Sequence, residues 1–129
     1  MTDISCPFCS LNPDRVFLRG DRVIAFWDAF PVTDGHALIV PYRHVAGWFD
    51  ATLEEQVEIL RTISLVRERI EARHAPDGYN IGINVGAAGG QTVDHLHVHV
   101  IPRYQGDVPD PRGGIRWVIP DRAPYWEDG

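Results

Sequence analysis

From Asp94 to Pro102 the chain alternates with a period of two: His95, His97 and His99 share one parity, and Leu96, Val98 and Val100 share the other. That pattern predicts a half-buried β-strand, apolar set toward a core, with the three imidazoles on the opposite face about 6.5–7 Å apart. A second alternating stretch sets Tyr79, Ile81, Ile83 and Val85 against Asn80, Gly82 and Asn84, and predicts a further strand. Residues 16–18 and 23–27 flank Arg19-Gly20-Asp21 and read as two strands joined by a hairpin-like turn. Residues 36–40 are short and largely apolar, and Pro41 stops them, so they read as a central strand.

One stretch has a helical period. Leu53, Val57, Leu60, Ile63 and Ile70 recur near every 3.6 residues and predict an amphipathic helix over about 53–73. Thr52 and Glu55 have capping-box spacing at its start, and Ala75-Pro76-Asp77-Gly78 ends it. No long helix is expected before residue 52. The order of elements predicts an α+β fold: a mainly antiparallel five-stranded sheet with one long helix on one face. All 129 residues are expected to form one domain, with an irregular tail from about 107. Within that tail, Trp117-Val118-Ile119 reads as a short strand or a packing segment, and Tyr125 and Trp126 predict that part of it packs.

Composition narrows the function. Hydrophobic content of 44% and charged content of 23% fit a soluble globular protein. A net charge of −6 argues against a broad nucleic-acid or anionic-membrane surface, though not against a nucleotide held in a small pocket. No apolar run reaches the ~20 residues of a membrane span. The start, Met1-Thr2-Asp3-Ile4, lacks the basic and apolar regions of a leader, and there are only two cysteines. A cytoplasmic location is the expectation.

Three of the six histidines on one strand face need a chemical use. Imidazole titrates near neutrality and can act as nucleophile, proton carrier or metal ligand. A neutral imidazole attacks phosphorus, and the phosphoryl-imidazole hydrolyses readily, so one hard cleavage becomes two easier steps. His97, flanked by a histidine on each side, is the expected nucleophile; His99 is then placed to donate to the phosphate or leaving group. Gly86-Ala87-Ala88-Gly89-Gly90-Gln91-Thr92, just before the histidines, suits either an anion cradle or a tight hairpin. Arg103, Arg112 and Arg116 form a local basic cluster that suits either phosphates or a solvated loop. Cys6-Pro7-Phe8-Cys9 is half of a zinc site, a redox pair or an unmetallated remnant. The turn-like Leu11-Asn12-Pro13-Asp14 that follows does not open the helix that a glutaredoxin-like motif requires.

The run from Gly90 to Arg103, with Phe30-Pro31-Val32-Thr33-Asp34-Gly35-His36 and Ile39-Val40-Pro41, resembles the histidine triad family. The likeness is closest to its nucleotide-hydrolase branches, including the fragile-histidine-triad dinucleoside polyphosphate hydrolases, and covers roughly residues 6–104. The resemblance implies cleavage at an α-phosphate through a His97–nucleotidyl intermediate, with release of a nucleoside monophosphate. His95, His97, His99 and His36 match the catalytic set. Asp28 matches a ribose-hydroxyl acceptor, Asn84 a phosphate-binding position, and Gln91 and Thr92 the phosphate-loop pair; strand-end capping is the plainer reading of Asp28 and Asn84. Dinucleoside polyphosphates such as diadenosine tri- or tetraphosphate are the first implied substrates. Adenosine phosphoramidates, aminoacyl-adenylates, phosphorolysis in place of hydrolysis, and a slow nucleotide-binding module are the alternatives. Some prokaryotic members and the related galactose-1-phosphate uridylyltransferases join a Cys-x-x-Cys to two histidines. Carried over, the ligands are Cys6, Cys9, His44 and His95, a closed set that implies a structural zinc. The resemblance also implies a homodimer.

Overall fold

The computed structural model describes residues 5–126. The leader expectation, which rests on residues 1–4, lies outside the described residues. The strands are β1 (Val16–Arg19), β2 (Val23–Trp27), β3 (Ala37–Pro41), β4 (Gly78–Ile83) and β5 (Val98–Arg103), with one long helix, α1 (Leu53–Glu71). They form one antiparallel sheet in the order β1-β2-β3-β5-β4. The α+β expectation holds.

Strand parity separates the two faces of the sheet. Val23 and Ala25 of β2, Ala37 and Ile39 of β3, and Val98 and Val100 of β5 pack against Ile59, Val66 and Ile70 of α1. Ile24, Phe26, Leu38 and Val40 fall on the opposite face, with Phe8, Leu11 and Val16 against them. His99 pairs with Leu38 across β5 and β3, so it shares this second face. The helix therefore backs the sheet, and His99 lies on the other side.

The helix cap forms as expected: the Thr52 hydroxyl accepts from the Glu55 amide, and the Glu55 carboxylate accepts from the Thr52 amide. The expected apolar stripe is corrected. The face turned to the sheet is Glu55, Ile59, Thr62, Val66 and Ile70, whereas Leu53 is 70% and Leu60 57% exposed. Two polar residues hold places on that face because their polar atoms are satisfied. Glu55 also accepts from Arg43, and the Thr62 hydroxyl donates to the Glu58 carbonyl. A pattern of apolar residues alone misses both. The helix ends at Glu71, two residues short of expectation.

The histidine strand also starts later than its pattern suggested, at Val98 rather than Asp94. Continuing the register would set Leu96 opposite Pro41, which has no amide hydrogen to give. The Leu96 amide donates instead to the Val45 carbonyl. His95 and His97 thus lie in a lead-in to the strand and keep its alternation, with Leu96 buried between them. Val85, expected as the end of its strand, lies beyond β4.

In the tail, the expected short strand at residues 117–119 is a 3₁₀ turn, Gly114–Val118, with another at Pro120–Arg122. It packs through Ala123, which is fully buried, and through Arg112 and Arg116 over the rings of Trp126 and Tyr125.

Candidate active site and metal cluster

Three backbone groups set the histidine tautomers. His97 Nδ1 lies 2.8 Å from the carbonyl of His95. A carbonyl only accepts, so Nδ1 carries the proton and Nε2 is left with a free lone pair. His95 has the reverse arrangement: its Nε2–H donates to the Pro41 carbonyl at 2.9 Å, which frees Nδ1. His36 Nδ1 accepts from the Val32 amide at 3.1 Å, so its proton sits on Nε2.

That proton orders the next histidine. His36 Nε2 lies 3.0 Å from His99 Nδ1 and 3.4 Å from an Asp28 carboxylate oxygen. The shorter contact makes His99 Nδ1 the acceptor and leaves its proton on Nε2. The rings of His97 and His99 stand 5.1 Å apart, edge to face. Burial pushes the His99 imidazole down to about 4, helped by its neighbours His97 and His36 and opposed by Asp28. Burial also lowers His36, against the pull of Asp28. Near neutral pH both rings are therefore uncharged, and the chain of donors and acceptors is defined.

A cavity of about 470 Å³ opens over this row. Asp28, Asn84, Thr92, His97 and His99 line it, together with Gly90 of the glycine-rich loop. Gln91 is turned elsewhere. Its amide nitrogen donates to the Ala46 and Val93 carbonyls, and its oxygen accepts from the Gly86 amide, so it pins the loop. Gly86 and Gly90, both at positive φ, make the bends on either side of that loop's 3₁₀ turn. The basic cluster of the tail is engaged within the chain. Arg103 holds Asp107 and Asn80, Arg112 holds Asp110, and Arg116 donates to the Ala123 and Arg122 carbonyls.

Sequence reading missed the apolar end of the cavity, made by Phe8, Phe26, Leu38 and Phe30, with Arg15 beside them. Phe8 packs 5.0 Å from the His97 ring and 5.5 Å from Phe26. Phe26 and Leu38 share the parity of His99 only once the register is known, so the alternation within one strand cannot reveal them.

The second cluster lies beside the first. Cys6 and Cys9 Sγ are each 3.5 Å from His95 Nδ1, and Cys9 Sγ is 3.1 Å from His44 Nδ1. All four candidate ligand atoms lie within 4.8 Å of one another. A tetrahedral ion with Zn–S of about 2.3 Å and Zn–N of about 2.0–2.1 Å requires S···N edges of about 3.5 Å. The donor set and spacing fit a metal ion. Burial raises the Cys6 thiol, the opposite of an activated redox cysteine.

The fold and the paired histidine clusters define a histidine triad architecture, and comparison with known proteins agrees. The HIT domain family model matches residues 10–106, and the chain belongs to this family. An AP-4-A phosphorylase of Mycobacterium tuberculosis is 40% identical over 102 residues, covering 78% of this chain and 52% of that protein. A bis(5'-adenosyl)-triphosphatase of Saccharomyces cerevisiae is 33% identical over 119 residues, covering 91% and 54%. The chain thus spans about half the length of these two relatives. A Zn-bound histidine triad family protein from Mycobacterium smegmatis superposes with a TM-score of 0.73 at 30% identity, covering 83% of this chain and 85% of that one. Among the described residues no helix is long and apolar enough to cross a membrane.

Proposed function

We propose that the chain hydrolyses dinucleoside polyphosphates at an α-phosphate, passing through a His97–nucleotidyl intermediate. The observation that carries this reading is the hydrogen bond from His97 Nδ1–H to the His95 carbonyl, which leaves Nε2 unprotonated at the cavity wall. In the first step His97 Nε2 attacks the α-phosphorus. The N–P bond forms, the P–O bond to the remaining polyphosphate breaks, and the His99 Nε2–H meets the charge on the phosphate or leaving oxygen. In the second step water attacks the same phosphorus, the N–P bond breaks, and a nucleoside monophosphate leaves. His36 is a positioning residue here, because it holds the His99 tautomer. Asp28 is assigned to the ribose hydroxyls, Thr92 and the Gly90 backbone to phosphate oxygens, and Asn84 to the bridging region.

The names of the two curated relatives support the substrate class. One of them is named a phosphorylase, and phosphate in place of water in the second step would release a nucleoside diphosphate.

We assign Cys6, Cys9, His44 and His95 to a structural zinc. Two thiolates and two imidazoles close the coordination shell, so the ion would tie the N-terminal segment to the histidine lead-in. A reducing, cytoplasmic setting suits such thiolate ligands. Exposed Leu53 and Leu60 on α1, with half-exposed Ile81 on the edge strand β4, favour a homodimer.

The test is product analysis with diadenosine tetraphosphate and, separately, adenosine phosphoramidate, each beside a His97→Ala control. AMP and ATP from the first substrate, absent with the control, are the expected result. Turnover of the phosphoramidate alone would move the chain to P–N cleavage. No turnover of either, with AMP still bound, would leave a nucleotide-binding module.

A further inference from the structure

Among the described residues, Arg15 is the only lysine or arginine lining the cavity of about 470 Å³. Its guanidinium lies 5.9 Å from the centre of the Phe26 ring, and among the described residues it makes no ion pair. An arginine at a nucleotide site ordinarily invites a phosphate role. Its place in the turn just before β1 points elsewhere.

The register supplies a ruler. Val16, Phe26, Leu38 and His99 form one row across β1, β2, β3 and β5. Neighbouring strands are about 4.8 Å apart, so Phe26 stands about 10 Å from the His99 column. That separation is comparable to the reach from a 5′-phosphate to the far edge of its purine. With the α-phosphate at His97 and His99, the base falls against a slot walled by Phe8, Phe26 and Leu38, and Arg15 stands beside Phe26 on the side away from His99. Asn84, Gly90 and Thr92 border the phosphate end.

The slot is otherwise apolar, so Arg15 is the side chain there with hydrogen bonds to give. A guanidinium only donates, and its fork matches two adjacent acceptors. Guanine and hypoxanthine present O6 and N7 along one edge. Adenine presents N7 beside an N6 amino donor, which repels the second arm of the fork.

We infer that Arg15 reads the base edge of the transferred nucleotide and selects 6-oxopurines over adenine. The inference rests on the nucleotide-site reading above and deepens it. Within the dinucleoside polyphosphates, it names those carrying guanosine at the transferred end.

The experiment is calorimetric titration of the full chain with GMP, IMP and AMP, repeated with Arg15→Leu and Arg15→Lys, followed by kcat/KM on GppppG against AppppA. The expected result is GMP and IMP binding about tenfold tighter than AMP, the low end for a bidentate base contact at a partly exposed site. Arg15→Leu should bring all three within twofold while AMP stays unchanged, and Arg15→Lys should lose most of the preference because it lacks the fork. Equal affinities in the native chain overturn the inference, whether or not the variants fold. Equal weakening of all three nucleotides in Arg15→Leu overturns it too, since that marks a phosphate or stacking contact. If none of the three binds, the nucleotide-site reading falls with it. If the preference is seen but neither dinucleotide is cleaved, the hydrolase reading fails and the assignment of Arg15 stands.

Discussion

His95 and His97 are two residues apart, share a strand parity and are both buried, yet they face different chemistry. The difference lies in which nitrogen the backbone holds. The Pro41 carbonyl takes the His95 Nε2–H and turns Nδ1 toward two thiols. The His95 carbonyl takes the His97 Nδ1–H and turns Nε2 toward the cavity. One short segment therefore turns one free ring nitrogen toward the thiol cluster and another toward the cavity, the proposed metal ligand and the proposed nucleophile. The two roles are also joined, because the residue that would bind the metal carries the carbonyl that fixes the nucleophile.

The largest effect that separates the two histidines is on turnover. His97→Ala should lower kcat on diadenosine tetraphosphate by about 10⁴-fold or more, as expected for a nucleophile acting within a unit. AMP affinity by calorimetry should change only a few-fold. A comparable fall in affinity would instead make His97 a binding residue.

Cys9→Ser should act on stability first. Metal content by mass spectrometry should fall below one equivalent, and thermal unfolding should drop by at least about 10 °C, since binding energy at such a site is folding energy. Activity should fall as well, through the His95 carbonyl. An unchanged unfolding temperature and metal content would separate the clusters.

His36→Ala should cost about tenfold in kcat, the worth of one hydrogen bond that holds a tautomer, with KM nearly unchanged. His36→Gln has an amide N–H to offer His99 Nδ1 and should recover part of the loss. No rescue by Gln would deny His36 a positioning role.

A smaller effect is on pH dependence. The folded chain holds His99 at about 4, against an ordinary value near 6.5. Between those values the unfolded chain binds the proton more tightly, so stability declines as pH falls from about 6.5 toward 4. The loss should be on the order of 2 kcal/mol across that window. Urea unfolding at pH 7 and pH 5 measures it, and His99→Asn should flatten the slope. An equal slope in the variant would assign it to other groups.

Much of this was legible in the residues. The alternation around His95, His97 and His99 predicted the parity, and the apolar residues of the other parity, Leu96, Val98 and Val100, are buried. The capping box at Thr52 placed the helix start. What the pattern missed depends on long-range register or on polar groups that pair in three dimensions. Glu55 and Thr62 hold places on the helix's sheet-facing side because Arg43 and a backbone carbonyl satisfy them. Phe26 and Leu38 join His99 only through the β2–β3–β5 pairing. Gln91 looked like a phosphate ligand by position, but its amide is taken up by three backbone groups, those of Gly86, Val93 and the distant Ala46.

Backbone acceptors give two like histidines opposite tautomers. Nitrogen-15 spectra of the imidazoles in the zinc-loaded chain at pH 7 test this most directly. The expected result is His97 with its proton on Nδ1, and His95 with its proton on Nε2 and Nδ1 bonded to metal. A His97 ring with its proton on Nε2 in place of Nδ1 would contradict this assignment.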